Sequence, residues 1–119
     1  MVDGNKIAKK VEIADFIAII SNYSAGQIEC TSHTFFRLSE AQRKIFNAKT
    51  LKDYVINEEP FLVGLQKNQN YAAFYKYEKK NMRIILDVQT TKINIVTFYF
   101  IDDKQIPIKF EKPSNYFEE

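Results

Sequence analysis

Tryptophan is absent from this 119-residue chain, cysteine and histidine occur once each, and glycine and proline three times each. The lone Cys30 cannot close a disulfide within the chain or supply a Cys-rich zinc site, which points to a reducing compartment. A small buried residue is its plain reading, since no activating environment for a nucleophile can be read around it. One histidine, His33, rules out a His-rich metal site, so neither a metal nor another cofactor is expected. Few glycines and no phosphate-loop or nucleophile-elbow motif leave the familiar catalytic signatures missing. Long apolar runs are missing too: the longest, Ile13 to Ile20, is interrupted by Asp15. Neither export nor membrane spanning is indicated, and the cytoplasm is the expected home. An excess of one charge is also lacking. Seventeen basic against fifteen acidic residues gives +2, which is not the footprint of a strong nonspecific nucleic-acid binder.

What is present is a core-forming complement of ten Phe and seven Tyr in a chain long enough for one domain, residues 1–119. Residues 6–22 read as a leading helix with Ile7, Val11, Ala14 and Ala18 on one stripe. Its second half is apolar almost all round, so Phe16, Ile17 and Ile20 need cover from the sheet or from a second chain, either another copy or a different partner. Ile28 to Thr31 is a short strand or an extended entry. A second helix follows from Ser32, either running through or restarting at the capping box Ser39 to Gln42. Thr50 is placed to cap a third, short helix carrying Leu51, Tyr54 and Val55, and Pro60 ends the helical half.

From Phe61 the period changes to two. Phe61 to Gln66, Tyr71 to Tyr77, Met82 to Gln89 and Lys92 to Ile101 are rich in Val, Ile, Phe and Tyr and are joined by short polar segments. The expected fold is therefore α+β, with two or three N-terminal helices on one face of a four-stranded antiparallel meander. Residues 102–119 read as an edge segment and tail. Alternation sorts the strands into an apolar face (Ala72, Phe74, Ile84, Leu86, Val88, Val96, Phe98, Phe100) and a polar one (Tyr75, Tyr77, Arg83, Ile85, Asp87, Thr97, Tyr99). The polar face is either the solvated side of an ordinary antiparallel sheet or a surface that meets a polar ligand.

His33 and Arg37, at i and i+4, share the helix side opposite the apolar stripe. His33 is the one side chain whose ordinary pKa suits proton transfer near neutrality; a solvated surface histidine is the other reading. The run Thr31 to Leu38 (T-S-H-T-F-F-R-L), the helix ending in Asn57 to Pro60, and the strands Met82 to Val88 and Ile95 to Tyr99 together resemble the RelE-like ribonuclease superfamily. That grouping includes barnase, EndoU, the colicin-type tRNases and RelE, and the likeness covers residues 28–101. Ala41 stands where the family pattern carries a further Arg.

The resemblance implies metal-independent RNA cleavage by attack of the substrate's 2′-hydroxyl on the adjacent phosphate, in a toxin of a toxin–antitoxin, phage or mobile-element system. His33, Arg37, Arg83, Thr97 and Tyr99 would then be catalytic, with Arg suited to developing phosphorane charge by its planar fork of donors. Tyr75 and Tyr77 would stack on unpaired bases, and Lys76, Lys79 and Lys80 would contact the RNA backbone. The competing expectation is a noncatalytic protein-binding module, a phage-type inhibitor or toxin partner. It would use the surfaces of Phe16, Ile17 and Ile20 and of the tyrosine-rich sheet, with an antitoxin or inhibitor protein as counterpart.

Overall fold

The central hairpins form where hydrophobic alternation and short polar joints coincide, but they are only part of a larger sheet. The computed structural model describes residues 6–31, 34 and 40–106. Among these, strands β1 (Ile7–Lys10), β2 (Ile28–Cys30), β3 (Leu62–Gln66), β4 (Tyr71–Tyr77), β5 (Lys80–Val88) and β6 (Ile93–Ile101) make one sheet with helices α1 (Ile13–Ile20), α2 (Glu40–Ile45) and α3 (Ala48–Asn57). The strand order is β1-β3-β4-β5-β6-β2. Neighbours from β1 to β6 run antiparallel, whereas β2 lies parallel to β6, with Ile28 beside Ile93 and Cys30 beside Ile95.

The expected four-stranded meander with helices gathered ahead of it is thus corrected. Two short strands from the first thirty residues close both edges, which otherwise would present unpaired backbone N–H and C=O groups. The leading helix is corrected with it. Residues 7–10 pair with β3, and the pairing continues through the Val11 amide, which donates to the Val63 carbonyl at 2.9 Å. Helix α1 begins only at Ile13, with Glu12 extended at its N-cap. Local propensity for Ile7 to Lys10 is overridden by the open edge of β3. Helix α3 is capped by Asn47, whose side chain accepts from the Thr50 amide at 3.0 Å. Thr50 sits inside the helix, three positions after the N-cap it was expected to occupy, and its hydroxyl donates to the Ile45 carbonyl.

Both faces of the sheet are covered. On the helix side Phe16, Phe46, Leu51 and Val55 pack on Ala73, Tyr75, Met82, Ile84, Leu86, Ile95 and Phe98. Phe46 is the anchor: its ring centroid lies 4.8 Å from that of Tyr77, 5.5 Å from Phe98 and 5.3 Å from Phe100. A buried aromatic of this kind contributes roughly 1.5–3 kcal/mol by area alone. On the opposite side a second, smaller cluster joins Leu62, Ala72, Phe74, Ile85 and Ile101, with Ile7, Val96, Tyr99 and Ile106 packed against it.

That second cluster corrects the facing of β4. A two-residue turn, Glu78 and Lys79, brings Tyr77 opposite Lys80, so Tyr75 faces Met82 and Phe74 faces Arg83. Tyr75 and Tyr77 therefore belong to the helix side, and Ala72 and Phe74 to the other. A loop of even length pairs odd with even positions, and this parity sets which residues share a face.

Candidate functional site

On the side away from the helices, a pocket of about 230 Å³ opens between the β3–β4 turn and the middle of β5 and β6. Its geometry depends on a bulge. Ile85 pairs with Thr97 but Leu86 pairs with Ile95, which leaves Val96 as an extra residue on β6. Val96 and Thr97 consequently both line the pocket, and past the bulge Arg83 faces Tyr99 instead of Phe98. Re-aiming side chains is what a bulge does to a strand.

Arg83 is held from several directions. Its Nη2 donates to Gln66 Oε1 at 3.0 Å, and its guanidinium carbon lies 5.3 Å from the Phe74 ring centroid and 5.9 Å from that of Tyr99. Gln66, the last residue of β3, is buried. It passes the constraint on, donating from Nε2 to Asn68 Oδ1 at 3.0 Å, and the same oxygen accepts from the Asn70 amide at 3.0 Å. The turn that carries these amides is closed by the Gln66 amide on the Asn70 carbonyl at 2.8 Å, with Gln69 at a φ of 75°. The result is a guanidinium flanked by two rings and set among amides and hydroxyls. Among the described residues that line the pocket, Arg83 is the charged one, and its guanidinium is suited to an anion.

Three of the residues expected to be catalytic, Arg83, Thr97 and Tyr99, are brought together here. His33 and Arg37 lie outside the described residues. The neighbours of His33 are placed: Thr34 is buried and its hydroxyl donates to the Ile95 carbonyl at 2.7 Å, while the Thr31 hydroxyl donates to the Val96 carbonyl at 3.0 Å.

The expected RNA-stacking tyrosines are not at this site. Tyr75 is 1 % exposed beneath α3, edge-on to Tyr54 at 5.8 Å, and Tyr77 packs on Phe46. Burial, reinforced by Glu58, pushes the Tyr75 hydroxyl well above its ordinary value. The lysines divide. Lys76 is on the Arg83 side, with Nζ donating to Asn81 Oδ1 at 2.6 Å and 5.2 Å from the Phe61 ring, whereas Lys80 lies over Phe100 and Lys79 is exposed in the turn. In α1, Phe16 and Ile20 are buried in the chain's own core, whereas Ile17 stays exposed.

Gln66, Asn68 and Asn70 were not anticipated. The available signal was a Gln ending an otherwise apolar strand and followed at once by an Asn-rich turn. Cys30 is half-buried, and burial raises its thiol, an effect that Lys52 partly offsets; it is not an activated thiol. Among the described residues no three or more His, Cys, Asp or Glu side chains gather in a group able to hold a metal ion, and no helix is long and apolar enough to cross a membrane. No family model matches the chain, and neither a curated protein nor a solved structure is found to be similar to it.

Proposed function

We propose that this chain is a cytoplasmic, metal-independent endoribonuclease of toxin type that holds an RNA phosphate in the Arg83 pocket. The observation that carries this reading is the convergence of Arg83, Thr97 and Tyr99 on one anion-favouring pocket whose lining holds no carboxylate among the described residues. A guanidinium already fixed by Gln66 and two rings loses little side-chain freedom on binding, which favours a phosphate oxygen over bulk water. Lys76, on the same side, extends the attraction along the backbone of the strand.

In the reaction the 2′-oxygen attacks the adjacent phosphorus and the bond to the 5′-oxygen breaks. The 2′-hydroxyl loses its proton and the leaving 5′-oxygen gains one, giving a 2′,3′-cyclic phosphate and a 5′-hydroxyl end. His33 is the proposed proton carrier. Its support is covalent: it is bonded to Thr34, which is tied to β6 at Ile95, two positions from Thr97. Arg37, four residues on, is the proposed second cation, and Arg83 with Thr97 and Tyr99 steadies charge on the phosphate oxygens. Tyr75 and Tyr77, packed against Tyr54 and Phe46 on the helix side, take no part in holding the RNA.

Cleavage and binding of a labelled single-stranded RNA by wild type, His33→Ala and Arg83→Ala test the proposal. Loss of the proton carrier lowers cleavage roughly 10² to 10⁴-fold and leaves affinity nearly unchanged. Loss of Arg83 weakens both. Wild-type cleavage by His33→Ala would remove the catalytic assignment, and failure of the wild type to bind RNA would remove the whole reading.

A further inference from the structure

The helix side carries a second feature, independent of the RNA pocket. An apolar groove of about 340 Å³ runs between the C-terminal halves of α1 and α3, lined by Phe16, Ile17, Ile20, Val55 and Ile56 and bordered by Glu58 and Glu59. Ile17 and Ile56 remain 41 % and 37 % exposed there. Its charge is one-sided. Neither α1 nor α3 has a basic residue in its last turn, so two negative helix ends and two carboxylates face the groove with no cation beside them on either helix end.

The complementary group is present on the same chain at the other end of α3. Ile45, the last residue of α2, is 53 % exposed, and Lys44 before it and Lys49 after it are exposed too. Ten helical residues separate this apolar and basic end from the acidic groove, about 15 Å along the axis. Lys49, Asp53 and Ile56 stand at i, i+4 and i+7 and are all exposed, so they form one stripe on α3. An antiparallel pair of such stripes centred near residue 51 sets Lys49 of each protomer beside Asp53 of its partner. Lys44 and Ile45 end α2 just before α3 begins at Ala48, so they lie at the end of the pair where the partner's α3 finishes, near its Glu58 and groove. Every contact is made twice, as a closed two-fold interface requires.

We propose that the occupant of the groove is a second copy of this chain, docked by antiparallel pairing of α3 about a two-fold axis. Ile45 fills the apolar groove of the partner, and Lys44 and Lys49 meet Glu58 and Asp53 across the interface. The Arg83 pockets lie on the opposite side of the sheet, so both stay open in the dimer.

Charge exchange tests this directly by sedimentation velocity. The wild type sediments as a dimer. Lys44→Glu/Lys49→Glu and Asp53→Lys/Glu58→Lys each place like charges opposite one another, and each raises the dissociation constant at least about tenfold. An equimolar mixture of the two variants restores the dimer, because every crossed pair is again of opposite sign. Ile45→Ser, a change at an exposed position, gives monomer with an unaltered circular dichroism spectrum. A monomeric wild type overturns the proposal, as does a dimer indifferent to both charge reversals or a mixture no more dimeric than its components.

Discussion

Arg83 shows how one residue can be tied into the fold and still line a pocket. Gln66 holds the guanidinium by a hydrogen bond, and the rings of Phe74 and Tyr99 flank it, so its charge is presented in a set orientation. Tyr75 is the opposite case, a polar group whose position serves packing. Its ring is buried against Tyr54, and its hydroxyl has no hydrogen-bond partner among the described residues. Tyr75→Phe is therefore expected to be neutral or stabilising by up to about 1 kcal/mol in urea unfolding at neutral pH. The pH dependence follows from the sign of the shift. The folded pKa lies above the unfolded one, so the neutral phenol's contribution is complete below about pH 10 and is lost as pH rises beyond it. The Phe variant should show a shallower alkaline fall in stability than wild type. A clear loss of stability at neutral pH would mean that the hydroxyl is satisfied in the fold. Residue chemistry alone misdirects here: a phenol reads as an outward, ligand-facing group, and Tyr75 was legible as inward only through the even length of the Glu78–Lys79 turn.

At the scale of elements, β1 owes its place to Gly64. A Cβ on Gly64 would come within 2.5 Å of Ile7 Cγ2 and 3.0 Å of Cδ1, so the bare backbone of β3 is what lets Ile7 lie across it. Gly64→Ala should destabilise by about 1–3 kcal/mol through overpacking. Ile7→Ala in the same chain removes the clash, so the double variant should lose less than the two single changes added together. Simple additivity in chemical denaturation would count against this contact. The four hairpin strands were readable because each has five or more residues of β-rich composition bounded by polar joints. Ile7 to Lys10 and Ile28 to Cys30 were harder. Four and three residues are too few for a period to separate strand from helix, and the deciding force is the unpaired edge each one covers. The bulge at Val96 left no mark in the sequence, yet it places Arg83 with Tyr99.

Across the whole molecule, the sheet separates two surfaces of opposite character. The helix side carries the apolar groove with acidic borders, and the far side carries the Arg83 pocket beside a small second cluster. Because both faces are covered, the contrast between an inside and an outside face fades in β4, where Phe74 and Tyr75 are both fully buried. That is why hydropathy alone could not assign them. The polar pocket was legible as Arg83, Thr97 and Tyr99, while its amide half came from a turn that sequence patterning treats only as a joint.

The most direct measurement uses a DNA oligonucleotide carrying a single ribonucleotide, incubated with the protein in excess chelator and read by mass spectrometry. One cut is expected, on the 3′ side of the ribonucleotide, leaving a 2′,3′-cyclic phosphate, with the product reduced at least about a hundredfold for Arg83→Ala. An intact oligonucleotide, cuts at deoxy positions, or equal product from Arg83→Ala would contradict it.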